Sequence, residues 1–111
     1  MAYRARQLIG TRFSESLNAA TLAGALRCNP DYFGRVFRLT FGITLTETIH
    51  RQRIAAAERL LLNNDLLLAR IAERCGFDHS GYFRRIFSRQ RGMTPVAYRK
   101  LNCKEHTNTG E

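Results

Sequence analysis

An all-α fold follows from three observations. Apolar residues recur at spacings of three and four almost throughout the 111 residues, no stretch alternates apolar and polar residues in the manner of a strand, and only two prolines occur. The apolar fraction of 44% is enough for a real core without disulfide or metal staples, and the length fits one compact domain or two very small lobes.

The elements read off in order. Ala5, Leu8, Ile9 and Phe13 make one face of an opening helix, and Asn18 is placed to cap a helix over 19–27, with Cys28, Asn29 and Pro30 as the break. A further helix is predicted from Asp31 to about Thr40, stopped by Gly42, with Phe33, Val36 and Phe37 inward and Asp31, Gly34, Arg35 and Arg38 outward. Thr44 followed by Glu47 is a capping-box pattern that opens a long helix to about Leu62, burying Leu45, Ile49, Ile54, Ala57, Leu60 and Leu61.

Asn63, Asn64 and Asp65 supply a turn, and a short helix is predicted over 68–75, ended by Gly76. Its start is weakly marked, since Leu66 and Leu67 are poor caps. A helix from about Ser80 to Gln90 follows, with Phe83, Ile86 and Phe87 inward and Gly92 beyond it. Thr94 and Pro95 start a last helix through Lys100, and residues 102–111 read as a polar, frayed tail. The expected organisation is a first helix-turn-helix subdomain over 1–43, a linking helix over 44–62, a second subdomain over 63–101 and the tail, about seven helices in all.

The chain also repeats itself. Tyr32-Phe33-x-Arg35-Val36-Phe37 returns fifty positions later as Tyr82-Phe83-x-Arg85-Ile86-Phe87, and Gly42/Gly92 and Thr44/Thr94 keep that offset. Upstream, Leu22-Ala23 matches Ile71-Ala72 at forty-nine, so one residue is gained or lost in the turn, where such a change costs least. Each copy is a short helix, a tight turn and a second helix with an exposed start, the arrangement that carries a recognition helix into the major groove.

Charge points the same way. Eighteen Lys+Arg against nine Asp+Glu leave +9, and all the basic residues except Lys100 and Lys104 are arginines. Arginine's planar fork binds phosphate and the O6/N7 edge of guanine bidentately, so a polyanion is the expected partner. Cys28, Cys75 and Cys103 form an odd set without a C-x-x-C pair, which argues against a disulfide framework or zinc ribbon and for a reducing cytoplasm. Cys75 should be a buried packing thiol, with Cys103 the more reactive one. No apolar run approaches the roughly 20 residues of a membrane span, and no signal-peptide pattern opens the chain. His50, His79 and His106 share no ligand spacing with the cysteines, and no nucleophile-base pair or phosphate-cradling loop is visible, so no catalysis, metal or cofactor is expected.

Candidate contacts fall on the two second helices, about 29–40 and 79–90. Arg35, Arg38, Arg84 and Arg85 lead as base or phosphate contacts, with Asp31, His79 and Ser80 as base-edge readers and Asn29, Gly34, Gly81 and Arg89 completing the DNA-facing set. Asp31 either accepts from cytosine N4 or orients Arg35 one turn later. Backbone amides near Asn18, Thr44 and Thr94, with Arg51, Arg89, Arg91 and Arg99, are candidates to hold phosphates. The helical spacing of Phe33, Phe37, Phe83 and Phe87 assigns them to cores rather than to base stacking.

The segment from Ile71-Ala72-Glu73-Arg74-Cys75-Gly76-Phe77 through Tyr82-Phe83-Arg84-Arg85-Ile86-Phe87 to Gly92-Met93-Thr94-Pro95-x-x-Tyr98-Arg99 resembles the AraC/XylS family of bacterial transcription regulators. Arg53-x-x-x-Ala57-x-x-Leu60-Leu61 and Asn29-Pro30-x-Tyr32-Phe33 extend the resemblance over roughly residues 5–100. It implies two recognition helices in successive major grooves of double-stranded DNA, activation or less often repression of promoters, and contact with RNA polymerase. It also implies an upstream effector or dimerisation domain absent from this chain, which is then either a fragment or a stand-alone single-domain member, the lack of a pocket-sized segment to sense a ligand favouring the fragment. Gly34 departs from the pattern, standing where the family usually has a polar side chain, so the second recognition helix is the better equipped. A linking helix of roughly 28 Å suits groove segments ~34 Å apart.

Two rival readings remain at this point. One is a basic helical module that coats nucleic acid without regard to sequence, which sequence-dependent affinity at fixed salt separates. The other is a DNA-repair regulator with an alkyl-accepting cysteine, for which no cysteine cluster is present.

Overall fold

A computed structural model describes residues 1–63 and 65–102 as seven α-helices without a strand. They are α1 (Ala2–Arg12), α2 (Ala19–Ala25), α3 (Pro30–Phe41), α4 (Leu45–Leu61), α5 (Leu68–Arg74), α6 (Ser80–Arg91) and α7 (Pro95–Asn102). The chain divides into two compact units, Met1–Gln52 and one that begins at Arg53, so the division falls inside α4. The expectations for Asn64, Cys103, His106 and residues 103–111 lie outside the described residues.

In the first unit α1 and α2 pack on α3. Ala2, Ala5, Ile9, Leu22, Ala23, Phe33, Phe37, Leu45 and Ile49 form its core, with Leu8, Val36 and Phe41 half-buried against it. The rings run as a ladder, Phe33 to Phe37 at 6.1 Å and Phe37 to Phe41 at 4.9 Å between centroids, and Tyr3 of α1 meets Phe41 edge-on at 5.2 Å.

In the second unit α5 and α7 both pack on α6. Ile54, Ala57, Leu61, Ile71, Ala72, Cys75, Phe77, Phe83, Ile86 and Phe87 are buried. A second ring ladder runs Phe77, Phe83, Phe87, Tyr98 at 5.4, 5.9 and 5.5 Å. The four phenylalanines of the repeat are fully buried, each contributing about 2 to 3 kcal/mol relative to an exposed ring.

The caps explain where the helices start and stop. Asn18 Oδ1 accepts from Thr21 N at 2.9 Å while Thr21 Oγ1 accepts from Asn18 N at 2.9 Å, a reciprocal box. Asn29 Oδ1 accepts from Asp31 N and Tyr32 N, and Pro30 takes the first helical position, so α3 begins one residue earlier than the sequence pattern indicated. Thr44 and Thr94 each accept the amide three residues on, at 3.1 Å in both copies. Gly42 and Gly92 end α3 and α6 in the left-handed conformation, φ 72° and 74°, each donating its N–H four residues back.

Further departures from expectation are small. α2 stops at Ala25 instead of reaching residue 27, because Arg27 turns left-handed with φ 58°. α7 runs on to Asn102, whose side-chain amide donates to Tyr98 O at 2.8 Å, so Asn102 is helical rather than part of a tail. Leu60, expected inside, is half-buried, while Leu61 beside it is fully covered.

Candidate nucleic-acid interface

The two turns are built alike. Cys28 N donates to Ala23 O and Phe77 N to Ala72 O, both at 2.9 Å, and Arg27 and Gly76 sit at the matching left-handed position. Since Asn29 and His79 then cap α3 and α6, the extra residue of the second turn is Asp78. Each turn re-aims the chain so that the second helix buries its phenylalanines and leaves its other face outside.

On α3 that outer face carries Asp31, Arg35, Arg38 and Leu39, all exposed, with Asn29 at the cap and Gly34 half-buried. Leu39 is 84% exposed. A side chain built at Gly34 would meet nothing within 4 Å, so the helix surface is bare there rather than crowded. Asp31, Gly34, Arg35 and Arg38 line a shallow recess together with Thr44, Leu45 and Thr46 at the start of α4. Two guanidinium groups thus share a concavity with a helix N-terminus, where unpaired amides and the helix dipole both favour an anion.

On α6 the outer face carries His79, Gly81, Arg84, Arg85 and Arg89, all exposed, with Ser80 half-buried. His79 caps the helix through its backbone, leaving no side-chain cap bond at that end. His79, Ser80 and Gly81 line a second recess with Asp78 and with Leu67, Ala69, Arg70 and Glu73 from the start and body of α5. Arg85 lies over the Tyr82 ring at 5.7 Å. All eleven sequence-predicted contact residues therefore sit on the caps and exposed sides of α3 and α6, five in the first unit and six in the second.

The candidate phosphate holders divide. Arg51 is exposed and lies 3.9 Å from Glu47, a loose i, i+4 pair of small energetic weight. Arg91 and Arg99 are instead engaged inside the second unit. Arg91 donates through Nε and Nη2 to both carboxylate oxygens of Glu58 on α4, Nη2 at 3.1 Å, and that carboxylate raises the guanidinium pKa further. Arg99 donates Nε to Leu61 O at 3.0 Å and Nη2 to Asn63 O and Leu66 O at 3.1 and 2.8 Å. It thereby caps the carbonyl end of α4 and fastens the loop behind it.

Arg53 belongs to the linking-helix pattern, which assigned it no contact. It is half-buried on α4 with its guanidinium 5.6 Å from the Phe77 ring, where burial lowers its pKa and Asp78 counteracts that. Cys75 is fully buried, and burial pushes its thiol up to about 11. Among the described residues no group of His, Cys, Asp and Glu could hold a metal, and no helix is long and apolar enough to cross a membrane.

A helix-turn-helix domain model matches residues 22–101. The regulatory protein PocR of Salmonella typhimurium is 32% identical over 104 residues, 93% of this chain and 34% of PocR. The transcriptional activator RhaR of an Enterobacter strain is 37% identical over 78 residues, 70% of this chain and 28% of RhaR. The chain thus spans about a third of the length of these relatives. Among solved structures, the C-terminal domain of the response regulator AraT from Geobacillus stearothermophilus superposes with TM-score 0.86 at 34% identity, covering 90% of this chain and 84% of that one. The DNA-binding domain of the transcriptional factor AdpA, solved on a target DNA, superposes with TM-score 0.83 at 30% identity over 90% of each chain. With the matched domain covering most of the chain and both helix-turn-helix copies in place, this protein belongs to the AraC/XylS family of helix-turn-helix transcription regulators.

Proposed function

We propose that this chain recognises specific double-stranded DNA sites, laying α3 and α6 in successive major grooves, as the binding part of a cytoplasmic bacterial regulator that performs no catalysis itself. One observation carries the reading: two helices of equal length, at the same register fifty residues apart, bury the same phenylalanines and present an exposed arginine, Arg35 or Arg85, at the same position. A recognition helix needs that combination, a rigid buried side and a guanidinium fork free to meet a base edge. The AdpA domain, solved on its target DNA, supports it.

Within this reading Arg35, Arg38, Arg84 and Arg85 are the principal donors to bases and phosphates. Asp31, His79 and Ser80 read base edges at the helix starts, Asn29, Gly34 and Gly81 allow close approach, and Arg89 reaches backbone phosphate. Promoter activation would follow from contact with RNA polymerase, and control from an effector or dimerisation domain elsewhere in a longer regulator. The test is binding to a selected duplex and to a scrambled one across salt concentrations. Specific recognition predicts a preference of at least about a thousandfold at physiological salt, with a log-log salt slope near −0.9 per phosphate contact. Equal affinity for both duplexes would leave only a sequence-blind basic module.

A further inference from the structure

Arg53, Phe77, Tyr82 and Arg85 form a continuous pile within the second unit. The Arg53 guanidinium on α4 lies 5.6 Å from the Phe77 ring, Phe77 meets Tyr82 at 6.1 Å with ring planes 64° apart, and Arg85 lies 5.7 Å over Tyr82. Cation and ring thus alternate from the linking helix, through the turn, to the exposed face of α6. Phe77 is buried and also packs on Phe83 at 5.4 Å, so the middle of the pile is anchored in the core while both ends are charged.

The outer end explains why such a pile would matter. An exposed arginine samples many rotamers, and ordering it on DNA costs entropy that is lost from affinity. A guanidinium held by a ring face keeps its N–H donors, which lie in the plane of the fork, available to a bidentate acceptor. Holding Arg85 on Tyr82 therefore pre-organises the fork, provided Tyr82 itself is fixed. Phe77, packed on Phe83 in the core on one side and carrying the Arg53 guanidinium at 5.6 Å, supports it. The first copy has no such device, because Cys28 stands at the register of Phe77.

We propose that Arg53 and Tyr82 are positioning residues for DNA recognition, acting on Arg85 through the Phe77 ring, so that the two recognition helices differ in how firmly their leading arginine is held. The inference rests on the reading that Arg85 meets a base.

The experiment measures affinity for the selected and scrambled duplexes at one salt concentration, for Arg53→Met, Tyr82→Leu, Tyr82→Phe and Arg85→Ala. Arg53→Met and Tyr82→Leu are also combined with Arg85→Ala, and a thermal melt of each variant confirms folding. Tyr82→Leu and Arg53→Met should each weaken specific binding about three- to tenfold and leave scrambled DNA unchanged. Tyr82→Phe, which keeps the ring, should bind as the parent does, and in the Arg85→Ala background both losses should vanish. Losses that persist in full without Arg85, or that fall equally on both duplexes, overturn the proposal. If Tyr82→Leu folds and binds normally the pile has no role, even should Arg53→Met fail to fold. If Arg85→Ala alone costs nothing, the base-contact reading of Arg85 fails and takes the proposal with it.

Discussion

Arg27 holds in the first turn the left-handed conformation that Gly76 holds in the second, with φ 58° against 98°. A side chain there crowds its own carbonyl, at a cost of roughly 1 to 2 kcal/mol, which glycine avoids at some expense in chain entropy. Arg27→Gly should therefore raise unfolding stability by about 0.5 to 1 kcal/mol, and Gly76→Ala should lower it by roughly 1 to 2 kcal/mol. Urea denaturation midpoints check both. A destabilised Arg27→Gly would mean that the arginine side chain contributes more than its backbone strain costs.

Arg99 is predicted to act on folding rather than on DNA. Arg99→Met leaves Leu61 O, Asn63 O and Leu66 O without their guanidinium donor, and should cost about 2 kcal/mol, because two of those bonds are partly shielded from water. The salt slope of DNA binding should stay as it was. A slope reduced by about one, with stability intact, would restore Arg99 to the phosphate contacts.

Cys75 gives a pH signature. Its thiol is raised from 9.0 to about 11 by burial, so the folded state binds a proton that the unfolded state releases first. Stability contributed by the neutral thiol is complete below pH 9 and is lost as pH climbs towards 11. Cys75→Ala should flatten that decline, although truncation lowers stability at neutral pH, and the parent thiol should resist alkylation at pH 7 until the protein unfolds. Rapid alkylation under native conditions would show that the second unit opens readily.

Gly34 separates stability from recognition. Its missing side chain would meet nothing within 4 Å, and it lies mid-helix, so Gly34→Ala should stabilise the first unit by about 0.5 to 1 kcal/mol. If α3 approaches DNA closely at this bare position, the same substitution weakens binding to the selected duplex while raising the melting temperature. A parallel gain in both would show that the bareness serves no contact.

Most of the fold was legible because its strongest signals are local. The i, i+3, i+4 faces Phe33-Val36-Phe37 and Phe83-Ile86-Phe87, the Asn18 and Thr44 caps and the paired glycines 42 and 92 each declare a helix face or end from a few neighbouring residues, and the fifty-residue repeat ties them into two equal copies. What was not legible depends on distant pairing. Arg91 and Arg99 look like any surface arginine until Glu58, thirty-three residues away, and the carbonyls behind α4 are placed beside them. Arg53 belongs to the linking helix by pattern, yet its role is set by a ring twenty-four residues later. Arg27 was hidden for a different reason: an arginine in a left-handed turn runs against residue preference, and the repeat with Gly76 was the one available clue.

The most direct test of the account is selection of binding sites from random duplex DNA by this chain at about 150 mM salt. Two recognition helices of equal build predict enrichment of two short boxes about one helical turn apart, with the box read by α6 the more sharply defined. A selected pool no different from the starting library would contradict sequence-specific recognition by α3 and α6.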